Sequence, residues 1–106
     1  MKTFTERLEE DKDQVLRIID QIENKEPYME DMRGYLTSLN EITKEIIRLT
    51  DDPQIVLDLN KQFYLQVLND IMYGIENEDS VFLLDVLQYG LLEIYNYIET
   101  ELQGRM

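Results

Sequence analysis

The stretch NEDSVFLLDVLQYGLLEIYNYI, which runs from Asn77 to Ile98, is the most informative segment for the fold. Between Phe82 and Ile98, 12 of the 17 residues are apolar or tyrosine, and no proline interrupts them. Spacings of three and four residues are typical of an amphipathic helix, but a surface helix needs only one apolar stripe. This segment is apolar almost all the way round, which predicts a deeply enclosed helix or a helix with a second contact face.

Helix-start signals precede this and other periodic segments. Thr3 and Glu6 fit a capping box, and either Asp79 or Ser80 suits the N-cap of the last segment. The dipeptide Asp52-Pro53 suits the N-cap and first position of the third segment. The predicted helices are Thr5–Asn24, Tyr28–Thr50, Pro53–Glu76 and Ser80–Gln103.

Connections of only a few residues force these sequential helices to run antiparallel. Their apolar residues recur at three- and four-residue intervals, which favours shallow crossing angles. We therefore predict an all-α, up-down-up-down antiparallel four-helix bundle, formed by the single domain 1–106. Its predicted core is Leu8, Val15, Ile18, Ile19 and Ile22, then Met32, Tyr35, Leu39, Ile42, Ile46 and Leu49, then Leu57, Tyr64, Leu68, Ile71 and Ile75, widened by Phe63 and Val67, and finally Leu84, Leu87, Leu91, Ile94 and Ile98.

The composition excludes several classes of function. The chain has 106 residues, no cysteine and a formal net charge of −13. Such a charge repels phosphate backbones and anionic lipids, so we expect no nucleic-acid partner and no membrane partner. No apolar run is long enough to span a bilayer, and the charged N-terminal segment lacks a signal-peptide core. Together with the lack of cysteine, these features predict a cytoplasmic protein.

The charge is unevenly distributed along the chain. From Gln62 to Gly104 there is no lysine or arginine. Acids that keep a helix in solution explain this pattern, and so does a basic partner for this half of the protein. The acids of this half are Asp70, Glu76, Glu78, Asp79, Asp85, Glu93, Glu99 and Glu101.

On a helical wheel, the last segment has a second apolar stripe opposite its predicted core. Deeper burial within the bundle, a homodimer face and a face for another protein are three explanations of this stripe. Exposed apolar patches that contain aromatic rings mark association sites. The predicted interaction face is Phe82, Val86, Tyr89, Glu93 and Tyr97.

Three glycines lie inside predicted helices, each beside a tyrosine: Gly34, Gly74 and Gly90. Each costs about 1 kcal/mol of helix stability relative to alanine. A close helix crossing accounts for such a glycine, and so does a slot left for a ligand or a partner side chain. The sequence leaves both explanations open.

The chain also lacks histidine, which removes the commonest general base at neutral pH and, with cysteine, the usual zinc ligands. No glycine-rich phosphate loop is present. We therefore predict no catalytic residue, no cofactor and no metal ligand. The leading hypothesis is a non-enzymatic protein–protein interaction module, either a homodimer or an adaptor or chaperone.

An all-carboxylate magnesium site is the remaining enzymatic alternative. Glu9, Glu10 and Asp13 resemble the Glu-Glu-x-x-Glu run of nucleotide pyrophosphohydrolases of the MazG type. This resemblance implies magnesium-dependent hydrolysis of nucleotides. The family's second motif, Glu-x-x-Asp, has no match here, because Lys44 stands three residues after Glu41.

Residues 64–95 resemble the tail of small helical proteins of unknown function from Gram-positive bacteria. Where that family often has an acidic residue, this chain has Gly90. The resemblance implies a further alternative, a chaperone for flagellar or secreted subunits. The matching elements are Leu68-Asn69-Asp70-Ile71, Ile75-Glu76-Asn77-Glu78-Asp79 and Leu84-Asp85-Val86-Leu87-Gln88-Tyr89.

Overall fold

The computed structural model describes residues 2–55 and 57–103, and these residues form four helices and no strand. Sequential helices contact one another, and the first also contacts the fourth, which closes the bundle. The predicted all-α, up-down-up-down four-helix bundle is confirmed. Helix α1 is Phe4–Glu23, α2 is Met29–Asp51, α3 is Lys61–Glu76, and α4 runs without a break through Ser80–Val86, a π-helical turn at Leu87–Leu91, and Leu92–Gln103.

At the starts of α1 and α4, side chains accept hydrogen bonds from free backbone N–H groups. The Thr3 hydroxyl accepts a hydrogen bond from the Glu6 N–H at 3.1 Å, ahead of α1. The Asp79 carboxylate accepts one from the Phe82 N–H at 3.1 Å, ahead of α4. Each cap of this kind stabilises a helix by about 1 kcal/mol. The predicted cap at Thr3 is confirmed, and Asp79 rather than Ser80 caps the last helix.

The prediction that the third helix begins at Pro53 is wrong, because Asp52 forms a turn instead of an N-cap. Its carboxylate accepts a hydrogen bond from the Gln54 N–H at 2.9 Å, and its carbonyl accepts one from the Ile55 N–H at 3.1 Å. Aspartate commonly bonds the backbone two residues on in this way. Residues 52–55 and 57–60 therefore belong to the connection between α2 and α3.

Helix α3 begins instead after Asn60. The Asn60 side chain accepts hydrogen bonds from the Gln62 and Phe63 N–H groups at 2.8 and 3.2 Å. This start places Phe63 in the first turn of α3, where its side chain is 51% exposed. Phe63 therefore lies outside the core that it was predicted to widen, and Leu57 lies in the connection.

The predicted stripes of α1 and α2 are confirmed, with Leu49 only partly buried. In α4 the predicted core positions are buried from Leu87 onward, but the predicted position before Leu87 is not. Leu83, not Leu84, is fully buried. The reason is the π-helical turn, in which the Leu92 N–H donates to the Leu87 carbonyl five residues earlier. The wider turn accommodates one extra residue, so the inward position before it shifts by one.

Candidate interaction surface and acidic cleft

Helices α3 and α4 approach closely because two glycines lie between them. A Cβ atom at Gly74 would lie 3.2 Å from the Cβ of Leu83. A Cβ atom at Gly90 would lie 3.3 Å from both methyl groups of Val67. Both distances are shorter than ordinary van der Waals contact, so only glycine fits without displacing the neighbouring side chain. At these two positions the space is filled by the partner helix.

Five aromatic rings lie along the outer side of this helix pair. The rings of Tyr73 and Phe82 meet edge to face, with centroids 5.3 Å apart. Phe63, Tyr89 and Tyr97 line one shallow groove further along the pair. Phe82 and Tyr89 stand seven residues apart on α4, so the two clusters follow the same side of that helix. We call these five residues the aromatic face.

The structure divides the predicted interaction residues. Tyr89 is 69% exposed and Glu93 is also exposed, whereas Phe82 and Tyr97 are partly buried against the core. Val86 is 9% exposed and packs in the core. Val86 was predicted to belong to the interaction face, and this prediction is wrong. The register shift that buries Leu83 also turns Val86, three residues later, inward.

Sequence reasoning missed two members of the aromatic face, Phe63 and Tyr73, which are 51% and 55% exposed. Phe63 was assigned to the core because the third helix was expected to begin at Pro53. Asn60, a strong N-cap residue three positions before Phe63, is the signal that could have corrected that start. Tyr73 carried no signal beyond its position next to Gly74.

Tyr97 also holds the connection between α2 and α3. Its hydroxyl accepts a hydrogen bond from the Asp58 N–H at 2.6 Å. Asp58 and Glu93 both line the groove beside the rings. The groove therefore has aromatic walls and carboxylates at its edge, which suits an apolar side chain flanked by positive charge.

Among the described residues, no basic side chain pairs with the carboxylates of this surface. The five ion pairs of residues 2–55 and 57–103 involve none of Asp58, Asp85 and Glu93. Asp85 lies between Phe82 and Tyr89 on α4, at helical spacings of three and four residues. The ion pairs are Lys2–Glu10, Arg7–Glu41, Lys12–Glu99, Arg48–Glu45 and Lys61–Asp51.

Gly34 lies in a different setting, at an open cleft between α1 and α2. A Cβ atom there would meet nothing within 4 Å, so no helix crossing requires this glycine. The cleft has a volume of about 540 Å³ and no basic residue lines it. Its lining residues are Glu10, Asp11, Gln14, Glu30, Asp31, Gly34, Tyr35 and Ser38.

A half-buried carboxyl group lies at the inner end of this cleft. Burial raises the pKa of Asp11 to about 6, although the Tyr35 hydroxyl and the charge of Arg7 lower it in part. The Tyr35 hydroxyl shares a hydrogen bond of 2.8 Å with the buried Tyr95 hydroxyl. Burial raises the pKa of both tyrosines well above its usual value, so both stay neutral. The cleft can therefore hold a proton or a small cationic group.

The carboxylates that resemble the MazG motif do not converge. Glu9, Glu10 and Asp13 are exposed on α1, and Glu10 pairs with Lys2 at 2.7 Å. Within residues 2–55 and 57–103, no group of three or more histidine, cysteine, aspartate or glutamate side chains is placed to hold a metal ion.

Wider comparisons add no functional information. None of the helices in the described part of the chain combines the length and apolarity that crossing a bilayer requires. Comparison with known proteins gave no matching family model, no matching curated protein and no matching solved structure. The resemblance of residues 64–95 to small helical proteins of Gram-positive bacteria stays a prediction.

Proposed function

We propose that this chain is a non-enzymatic protein–protein interaction module, whose aromatic face binds either a second copy of the chain or another protein. The supporting observation is that three of the most exposed large apolar side chains belong to this one face. Six large apolar side chains are exposed in the described part of the chain, and Phe63, Tyr73 and Tyr89 are the three on the aromatic face. The other three are Leu16 on α1, Met72 on α3 and Val81 on α4.

Clustering of this kind argues for a contact surface, because single exposed apolar residues are normally scattered. Tyrosine suits such a surface, since its ring can be covered while its hydroxyl stays in water. Tyr89, which is 69% exposed, is the most exposed ring of the aromatic face.

The face also stands on a rigid support. Gly74 against Leu83 and Gly90 against Val67 hold α3 and α4 at a fixed separation. The hydrogen bond from Asp58 to Tyr97 holds the adjoining connection in place. Little conformational freedom is therefore lost when a partner docks, which favours binding.

The alternatives differ in what supports them. A chaperone for flagellar or secreted subunits is one form of this module and rests on the resemblance of residues 64–95. Magnesium-dependent nucleotide hydrolysis draws no support from the geometry, since Glu9, Glu10 and Asp13 are exposed on α1 and do not converge on a common metal site.

The proposal is tested by comparing Tyr89→Glu with Leu16→Glu, an exposed apolar residue on α1. Both variants are expected to keep the unfolding free energy within about 0.5 kcal/mol of wild type, because both sites are exposed. We expect Tyr89→Glu alone to lose association. Light scattering over a tenfold concentration range measures self-association, and quantitative capture from an extract of the source cells measures binding of other proteins.

The proposal fails if Tyr89→Glu and wild type have the same molar mass and capture the same proteins in equal amounts. It also fails if Leu16→Glu loses association to the same extent, because the face would then have no special role. Circular dichroism of each variant shows that the helices are retained.

A further inference from the structure

We infer that the occupant of the aromatic face is a basic amphipathic helix rather than a second copy of this chain. This inference rests on the proposed function and specifies the chemistry of the partner. Three features support it: the charges around the rings, the length of the face and the symmetry of a homodimer.

The charge around the rings is negative and uncompensated. Asp58, Asp85 and Glu93 are exposed beside the face and take part in none of the ion pairs of the described residues. Lys61, the last basic residue before this acidic half of the sequence, is bound to Asp51 at 2.7 Å. Lysine and arginine side chains of a partner can therefore reach carboxylates that no basic residue of the described chain pairs with.

The dimensions of the face fit one helix. Phe63 and Tyr73 stand ten residues apart on α3, which corresponds to about 15 Å. The ring pair Tyr73–Phe82 lies towards one end, and the groove lined by Phe63 and Tyr89 lies towards the other. A helix whose apolar residues recur at three- and four-residue intervals over about three turns presents side chains to both ends. Basic residues at its edges would then face the carboxylates.

A second copy of this chain fits the face poorly. A two-fold contact apposes the same patch of both subunits. It would bring Asp85 and Glu93 of one subunit close to the same residues of the other, and the sequence has no lysine or arginine from Gln62 to Gly104 to separate them. Like charges placed together at an interface oppose association.

The test uses two synthetic helical peptides that share one stripe of leucine and phenylalanine. One peptide has lysine and arginine at its other positions, and the second has glutamine there. Fluorescence anisotropy measures their binding to the full chain at low and moderate salt. We expect the basic peptide to bind at least tenfold more tightly at low salt, and this ratio to shrink at higher salt because ions screen the attraction.

Matched variants separate the face from the general negative charge. Asp85→Asn combined with Glu93→Gln is expected to weaken binding of the basic peptide about tenfold, which corresponds to about 1.4 kcal/mol. Glu9→Gln combined with Asp13→Asn removes the same charge from exposed positions on α1 and is expected to weaken binding less than twofold.

Three results would overturn the inference: equal binding of the two peptides, equal losses in the two double variants, or no binding of the basic peptide. Self-association that is lost in Tyr89→Glu would also overturn it, while supporting the proposed function. If Tyr89→Glu changes neither peptide binding nor any other association, the proposed function fails as well.

Discussion

The two helix pairs of this bundle use glycine in opposite ways. Between α3 and α4, Gly74 and Gly90 bring the helices into contact with Leu83 and Val67. Between α1 and α2, Gly34 leaves an open cleft of about 540 Å³. All three glycines stand beside a tyrosine. A glycine beside a tyrosine therefore closes one helix pair and leaves the other open, depending on what the neighbouring helix places opposite the glycine.

The two pairs also differ in where they keep charge and aromatic rings. The basic residues Arg7 and Arg48 of α1 and α2 pair with Glu41 and Glu45 of α2. Helices α3 and α4 hold exposed rings such as Tyr89 beside carboxylates without a basic partner in the described residues. The first pair thus has two ion pairs of its own, whereas the second exposes both apolar surface and unpaired carboxylates among the described residues.

The largest effect is expected from breaking the close contact between α3 and α4. In Gly90→Leu the new side chain would overlap Val67, whose methyl groups lie 3.3 Å from the position of a Cβ atom. Overpacking of this kind costs about 2–3 kcal/mol of unfolding free energy. Urea unfolding followed by circular dichroism measures this loss.

Gly34→Leu is the matched control for that variant. Nothing lies within 4 Å of a Cβ atom at this position, and leucine gains helix propensity over glycine. We expect stability to rise by about 0.5–1 kcal/mol. If both variants lose similar stability, the contrast between the two helix pairs is wrong.

An intermediate effect is expected at the hydrogen bond that joins the two pairs through the core. Tyr35 of α2 and Tyr95 of α4 share a bond of 2.8 Å between buried hydroxyls. Tyr95→Phe leaves the Tyr35 hydroxyl without this partner, which costs about 1–2 kcal/mol. The double variant Tyr35→Phe with Tyr95→Phe is expected to lose less than the sum of the single variants. Tyr89→Phe, at an exposed ring, is the control and is expected to leave the urea midpoint unchanged.

Additive losses in the double variant would show that the two hydroxyls act independently. The hydrogen bond would then contribute nothing to the link between the helix pairs, and burial of the rings alone would account for stability. A loss in Tyr89→Phe equal to that in Tyr95→Phe would contradict the prediction in the same way.

The sequence predicted the helices and their order because those features depend on local spacing and caps. Thr3 and the apolar stripe of α1 behaved as expected for this reason. Two competing local signals caused the error at α3, since Asp52 can form either an N-cap or a turn. Only the stronger signal at Asn60 decides between them.

The register of α4 and the role of each glycine depend on contacts between helices. The spacing of apolar residues along one helix does not encode those contacts. The π-helical turn includes Gly90, where Val67 of α3 leaves no room for a side chain. That turn is why Leu83 and Val86 point inward, and why part of the predicted interaction face proved to be core. Tyr89 and Glu93 are exposed as predicted. Tyr89 lies on the outer side of the π-helical turn, and Glu93 follows that turn.

The smallest effect is expected at the cleft between α1 and α2. Burial raises the pKa of Asp11 from 3.8 to about 6, so the folded chain holds this proton more tightly than the unfolded chain. This group's contribution to stability is complete below about pH 4 and is lost as the pH rises through about 6. Asp11→Asn mimics the neutral acid, so it should be more stable than wild type at pH 7 and equal to it near pH 3.5.

The expected gain at pH 7 is on the order of 1 kcal/mol, because solvent screens a half-exposed carboxyl group and reduces the effect of the shift. Arg7 attracts this carboxylate, whereas Glu10 and Glu41 repel it, and Asn keeps the shape while removing the charge. Asp13→Asn, two residues away and exposed, is the control. Urea unfolding at several pH values measures both variants. Parallel curves for Asp11→Asn and wild type would show that the cleft does not hold this proton, and the contrast between an open and a closed helix pair would then be one of shape alone.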